Sequence, residues 1–360
     1  MTRPVRARID LQALRHNLSI ARQAAAGSRV MAVIKADGYG HGLVPVAQAL
    51  ADADAFAVAS LEEALALRDA GIERPVLLLE GLFEAAELEA AVANRLWLVV
   101  HAEHQLRWLE DAAPDGALHV WLKLDTGMHR LGVAPDHAAE FHRRLLAIPA
   151  VRRGSLALMS HLACADDPDS ACTDRQLDTF VQLTDGLQGR RSLANSAALL
   201  TRPQTRFDWV RPGIMLYGAS PLTAGKIVQQ PLQPVMTFRT GLIAVARRRK
   251  GDSIGYGCSW TCPEDMPVGV AAAGYGDGYP RHAPPGTPVL VNGRRAALAG
   301  RVSMDMICID LRGAPDARVG DPVVLWGEGL AADEVARHAG TIAYELLCGV
   351  TARVAREYAG

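Results

Sequence analysis

The chain has 360 residues, 49% of them hydrophobic and 21% charged, with a formal net charge of −1. This composition excludes a disordered chain, and near-neutrality argues against nucleic acid or an anionic membrane surface as the main partner. The length suits one large domain and one smaller one.

The N-terminal stretch MTRPVRARIDLQALRHN has no apolar core of signal-peptide length, and no later run is long and apolar enough to span a bilayer. A cytoplasmic location is therefore expected. Short apolar runs then recur at 29–36, 55–60, 75–81, 96–101, 119–127, 156–162, 191–195 and 209–218. Helix-like stretches such as LVPVAQALADA and PDHAAEFHRRLLAIP separate them. Ser60, followed by Glu62 and Glu63, reads as a helix N-cap with an acidic first turn, and Gly71 as the stop. Eight strands alternating with helices predict a (β/α)8 barrel over residues 1–231, because parallel strands need long crossovers and cover on both faces. An open doubly wound sheet is the alternative.

From about Leu232 the pattern changes to strand-like runs joined by glycine turns, with Asn292-Gly293 a hairpin signal. Residues 232–360 are expected to form a second, mostly-β domain, interrupted by the helical stretch AADEVARHAGTIAYELLCG. The basic run from Arg247 to Lys250 reads as a solvated hairpin turn. Gly251-Asp252-Ser253-Ile254-Gly255 matches G-x-S-x-G by letter, but it lies between two strand-like runs rather than at a strand-to-helix elbow. The six scattered cysteines predict reduced, mostly buried thiols rather than a disulfide framework. No metal-ligand spacing occurs.

Barrel active sites form at the C-terminal ends of the strands. There the first run ends in Lys35, the fifth in Lys123 with Arg130 beyond it, the sixth at His161, the seventh at Asn195-Ser196 and the eighth at Arg211-Pro212-Gly213. An ammonium at the end of an apolar strand is costly to bury without a partner. Burial and cationic neighbours favour its neutral amine, which can form a Schiff base with a carbonyl compound. A carbonyl cofactor carrying a phosphate fits Lys35 together with Asn195-Ser196 and the Gly213-Ile214 backbone. His161 alone reads as a packed histidine, and a tyrosine in a Gly-Tyr-Gly turn as a turn residue.

The runs VIKADGYGHG, KLDTGMHRLG, MSHLACADD, LANSAA, VRPGIMLYG, IGYGCSW, GYGDGYPR and GRVSMDM, in this order, resemble the bacterial alanine racemase family across most of the chain. The resemblance implies a pyridoxal 5'-phosphate enzyme that interconverts L- and D-alanine in a homodimer with shared active sites. Lys35 would carry the cofactor and act as one acid/base group at the substrate Cα; Tyr256, lent by the other subunit, would be the second. Racemisation needs a proton removed on one face and returned on the other, so two opposed groups suit it.

The same resemblance assigns the remaining positions. Arg211 would face the pyridine nitrogen, with His161 beside it to orient it. Tyr39, Asn195, Ser196, Gly213, Ile214 and Tyr344 would hold the cofactor, chiefly at its phosphate. Arg130 would reach the cofactor's phenolic oxygen and the substrate carboxylate, and Lys123 would be carbamylated, since otherwise it forms a like-charge pair with Arg130. From the partner, Met304 would help recognise the carboxylate and Tyr275 would narrow the opening. Asp166, Arg281 and Arg301 would line the access corridor. Tyrosines 256, 275 and 344 leave little space beyond a methyl group, which favours alanine. Gly276 and Ala355 depart from the usual alanine and proline. A decarboxylase of the same architecture and a non-catalytic pyridoxal-phosphate-binding regulatory barrel are the competing readings.

Overall fold

The computed structural model describes residues 3–223 and 229–360. The first strand, β1 (Arg6–Asp10), leads directly into a helix, Leu11–Ala25, that Asp10 caps by accepting the Gln12 and Ala13 amides at 2.9 Å. Eight parallel strands follow and close on themselves. They are β2 (Arg29–Val33), β3 (Ala55–Val58), β4 (Val76–Leu78), β5 (Trp97–Val100), β6 (His119–Lys123), β7 (Ser155–Met159), β8 (Arg190–Asn195) and β9 (Trp209–Arg211). Each falls on one of the eight apolar runs. Phe56, Leu77, Val120 and Leu158 are wholly buried, as strands covered on both faces require. The helix Leu61–Asp69 starts on Ser60, whose hydroxyl accepts the Glu63 amide, and ends before Gly71. A barrel is thus formed and the doubly wound alternative is not.

The rest of the strands build a second sheet: β10 (Met236–Arg248), β13 (Met266–Ala271), β14 (Pro288–Val291), β15 (Arg294–Leu298), β16 (Ile307–Asp310), β17 (Pro322–Trp326) and β18 (Ala355–Ala359). Between β10 and β13 a separate two-stranded ribbon forms from β11 (Ser253–Ile254) and β12 (Trp260–Thr261). Ser253 therefore stands in a ribbon that leads into a single short turn at Tyr256–Cys258 and not into an α-helix, and the G-x-S-x-G match is accidental. Asn292 and Gly293, with φ of 51° and 75°, join β14 to β15 in the tight turn expected of that pair.

Three features differ from the sequence reading. No strand was expected before residue 29, yet β1 pairs antiparallel with β10 and parallel with β18, so the chain's first strand lies in the second sheet. The helical stretch near 331–349 is two helices, Ala332–Ala339 and Ala343–Cys348, parted at Gly340 (φ +70°). The six cysteines are all free, but only Cys262 is buried, while Cys258 and Cys348 are exposed. Among the described residues no helix is long and apolar enough to cross a membrane.

Candidate active site

Lys35 follows β2 and opens an unusual turn. Ala36, Asp37, Gly38, Tyr39 and Gly40 all have positive φ, between 52° and 79°. A run of left-handed residues is rare because Cβ crowds the following carbonyl, at about 1–2 kcal/mol for each non-glycine residue. Several contacts offset that cost. Glu63 accepts the Ala36 amide at 2.6 Å, Asp37 accepts the Leu43 amide at 2.8 Å, and the ring Nδ1 of buried His41 bonds the Gly38 and Tyr39 carbonyls at 3.0 and 2.8 Å. From the second sheet, Arg356 donates to the Gly40 carbonyl at 2.8 Å. Gly40 is obligatory on a second count, since a Cβ there would overlap the Leu347 carbonyl.

The strand ends enclose a cavity of about 460 Å³, within the range of small-ligand sites. Lys35, Tyr39, Lys123, Arg130, His161, Asn195, Ser196, Arg211, Gly213, Ile214 and Tyr344 all line it, so the structure gathers every barrel residue assigned to catalysis or to the cofactor, with Tyr344 added from the helix Ala343–Cys348. Asn195 caps the helix Ser196–Thr201 through the Ala198 amide at 3.0 Å. Ser196 Oγ accepts the Gly213 amide at 2.8 Å, which leaves its own hydrogen to donate into the cavity. Tyr39 stacks on Tyr217 with ring centroids 4.6 Å apart. A Cβ at Gly213 would lie 2.6 Å from the Tyr39 hydroxyl, so glycine keeps this hydroxyl-and-amide pocket open.

Charge in the cavity is one-sided. Lys35, Lys123, Arg130 and Arg211 line it against a single carboxylate, Glu80, whose Oε1 is 3.6 Å from Lys35 Nζ. Burial, then Arg211 and Arg130, push the Lys123 ammonium down to about 8. Burial and the same cations push His161 down to about 3, so its imidazole is neutral at physiological pH. Burial lowers Arg211 to about 10, still a cation at pH 7. Burial raises the Tyr39 and Tyr344 phenols, which therefore stay protonated donors.

Arg211 is fixed by Ser192 Oγ and by the carbonyls of Ser160 and Leu193, to all of which it donates. These groups, not His161, supply its hydrogen bonds; His161 feels Arg211 as a neighbouring charge. Sequence reasoning passed over Ser192, which is masked inside a strand. It also passed over Glu80, although PVLLLEG carries the same signal that marked Lys35, an ionisable residue just past an apolar strand. The Glu80 carbonyl is held by His101 Nε2 and Gln105 Nε2, both at 3.0 Å.

The second-sheet residues lie elsewhere. Tyr256 begins a short turn after β11 and is 67% exposed; Met304 is 52% and Tyr275 39% exposed. Arg301 packs over the turn, close to Gly257, and Arg281 is exposed. None of these five lines the cavity that holds Lys35 in the same chain. Asp166 lines an adjoining cavity of about 910 Å³ that shares His161, Asn195 and Tyr344 with the first.

Residues 9–221 match the family described as "Alanine racemase, N-terminal domain", and residues 235–358 match "Alanine racemase, C-terminal domain". The chain belongs to the alanine racemase family. It is 58% identical over 349 residues to the alanine racemase of Nitrosococcus oceani, covering 97% of each chain. It is 51% identical to the biosynthetic alanine racemase of Escherichia coli over 97% of this chain and 98% of that one. Among solved structures, the biosynthetic alanine racemase from Pseudomonas aeruginosa superimposes with a TM-score of 0.97 at 50% identity, covering all of both chains. Alanine racemases thus share the barrel, the second sheet and their order with this protein, and neither the decarboxylase nor the regulatory-barrel reading is favoured.

Proposed function

We propose that this protein, an amino-acid racemase, interconverts L- and D-alanine with pyridoxal 5'-phosphate held in the barrel cavity. The observation that carries the cofactor reading is the donor set of that cavity: an amine, Lys35, in a strongly cationic pocket with hydroxyls and backbone amides along its wall. Those residues fit the group. Tyr39, Ser196, Tyr344 and the Gly213 and Ile214 backbone suit a phosphate, assisted by Asn195, which sets the helix start. Arg211, a donor with no acceptor, suits an unprotonated ring nitrogen. Bound there, the cofactor supplies an electron-accepting ring that weakens the Cα–H bond of an attached amino acid.

The chain's own groups do the rest. Lys35 Nζ takes or returns the Cα proton on one side, and Tyr256 of the partner subunit does so on the other. Arg130 binds the substrate carboxylate, with Met304 of the partner subunit, while Tyr275 narrows the opening. Asp166, Arg281 and Arg301 line the approach. At a value of about 8, roughly one Lys123 in ten is a neutral amine at pH 7, the form that adds carbon dioxide to give a carbamate and a proton. The resulting anion would neutralise Arg130.

The division of labour proposed here follows the two sheets. The barrel, ending near residue 231, binds the cofactor together with Tyr344 of the same chain, while Tyr256, Tyr275 and Met304 from residues 232–360 serve the other subunit of a homodimer. The exposure of Tyr256, Tyr275 and Met304, and their absence from their own chain's cavity, supports that sharing. A cytoplasmic location belongs to the same reading, since six free thiols suit a reducing compartment. The test is direct. With the cofactor the protein should be yellow, and borohydride should fix the label on Lys35; a label on Lys123 would overturn the assignment.

A further inference from the structure

The two ends of the chain meet beside the loops that carry Tyr275 and Met304. β1 runs parallel to β18, with Arg6 opposite Ala355. Just before β1, Arg3 grips both carboxylate oxygens of Asp277, one of them at 2.7 Å, and donates to the Asp305 carbonyl at 2.9 Å. Just before β18, Arg353 donates to Asp305 Oδ1 at 2.6 Å and stands 3.8 Å from Asp277 Oδ1. The Asp277 side chain has no exposure, whereas Arg3 keeps 31%. A buried carboxylate needs such partners, and removing one leaves charge uncompensated.

That carboxylate organises the substrate-facing loops. Asp277 Oδ2 accepts the Gly274 amide at 3.0 Å. The Tyr275 amide donates to the Ser303 carbonyl at 3.0 Å, and the Gly276 amide to the Met304 carbonyl at 2.9 Å. Gly276 leaves the space that Arg353 fills, since a Cβ there would overlap the Arg353 guanidinium. We infer that Arg3, at the extreme N-terminus, is a positioning residue for alanine binding, because it holds the Tyr275 and Met304 loops through Asp277 and Asp305. This rests on the proposed assignment of Tyr275 and Met304 to the partner's site.

The test uses mixed dimers of full-length chains. One subunit carries Lys35→Ala and the other Tyr256→Phe, so only one composite site retains both groups. Arg3→Met placed on the Lys35→Ala subunit, which supplies Tyr256, Tyr275 and Met304 to that site, should raise KM for alanine about fivefold or more with kcat within about twofold. The same change on the other subunit should leave KM unmoved, and Arg3→Lys, which keeps the charge but not the fork, should recover part of the loss. An equal effect from either subunit, or a lower melting temperature with unchanged KM, overturns the inference. The pair without any Arg3 change is the control. If that pair is inactive despite proven exchange, the shared-site reading falls, while KM of the Arg3→Met homodimer still decides whether Arg3 positions the loops.

Discussion

Lys123 and Arg211 keep only 7% and 3% of their surface, whereas Tyr256 and Met304 keep 67% and 52%. The barrel half of the candidate site is complete within one chain: a closed sheet delivers its residues to one end, and burial shifts their proton affinities. The second-sheet half is a set of tyrosines, arginines and a methionine on an open surface, ordered by backbone hydrogen bonds and one buried carboxylate, Asp277. The difference teaches where each half acquires its chemistry. Burial within the subunit conditions the barrel groups, while the second-sheet groups depend on whatever surface they meet.

Four experiments would break or sharpen that contrast. The largest effect is expected at Tyr256. Tyr256→Phe should cut solvent-deuterium incorporation at one face of alanine by about 10²–10⁴-fold and spare the other face. Equal losses in both directions would take Tyr256 out of its role and leave the barrel to act alone.

The second concerns acid. His161 is held neutral down to about 3 and His41 down to about 4, both chiefly by burial, whereas an unfolded histidine takes its proton near 6.5. The unfolded chain therefore binds more protons below pH 6.5, and stability should fall as pH drops through that window. His161→Gln should remove about 2–3 kcal/mol of the loss between pH 7 and pH 4, read from urea unfolding at the two values. An unchanged pH dependence would mean that the imidazole is solvated.

The third prediction is at Lys123. Exhaustive removal of carbon dioxide should lower activity by about tenfold, bicarbonate should restore it, and Lys123→Ala should abolish the response. A wild-type protein indifferent to carbon dioxide would exclude the carbamate. Smallest of the four, Ser192→Ala removes one hydrogen bond to buried Arg211 and should cost about 1 kcal/mol, a roughly fivefold fall in kcat/KM, with cofactor affinity nearly intact. No change would mean that the Ser160 and Leu193 carbonyls hold Arg211 unaided.

The sequence by itself determined the barrel, the second sheet and the gathering of Lys35, Lys123, His161, Ser196 and Arg211 at one end. The reason is that strand period and strand-end chemistry are local properties, and a closed parallel sheet brings all its C-terminal ends to one rim. Tertiary structure alone decided what depends on residues far apart in the chain. β1 joins the second sheet because Arg6 finds Arg239 and Ala355 as neighbours, separations that no local pattern encodes. The left-handed turn after Lys35 persists because Glu63 and Arg356 converge on it from two distant segments, while the adjoining His41 bonds its carbonyls. Glu80 gains meaning only beside Lys35, and Lys123 only when burial and Arg211 surround it, since proton affinity is set by neighbours in space.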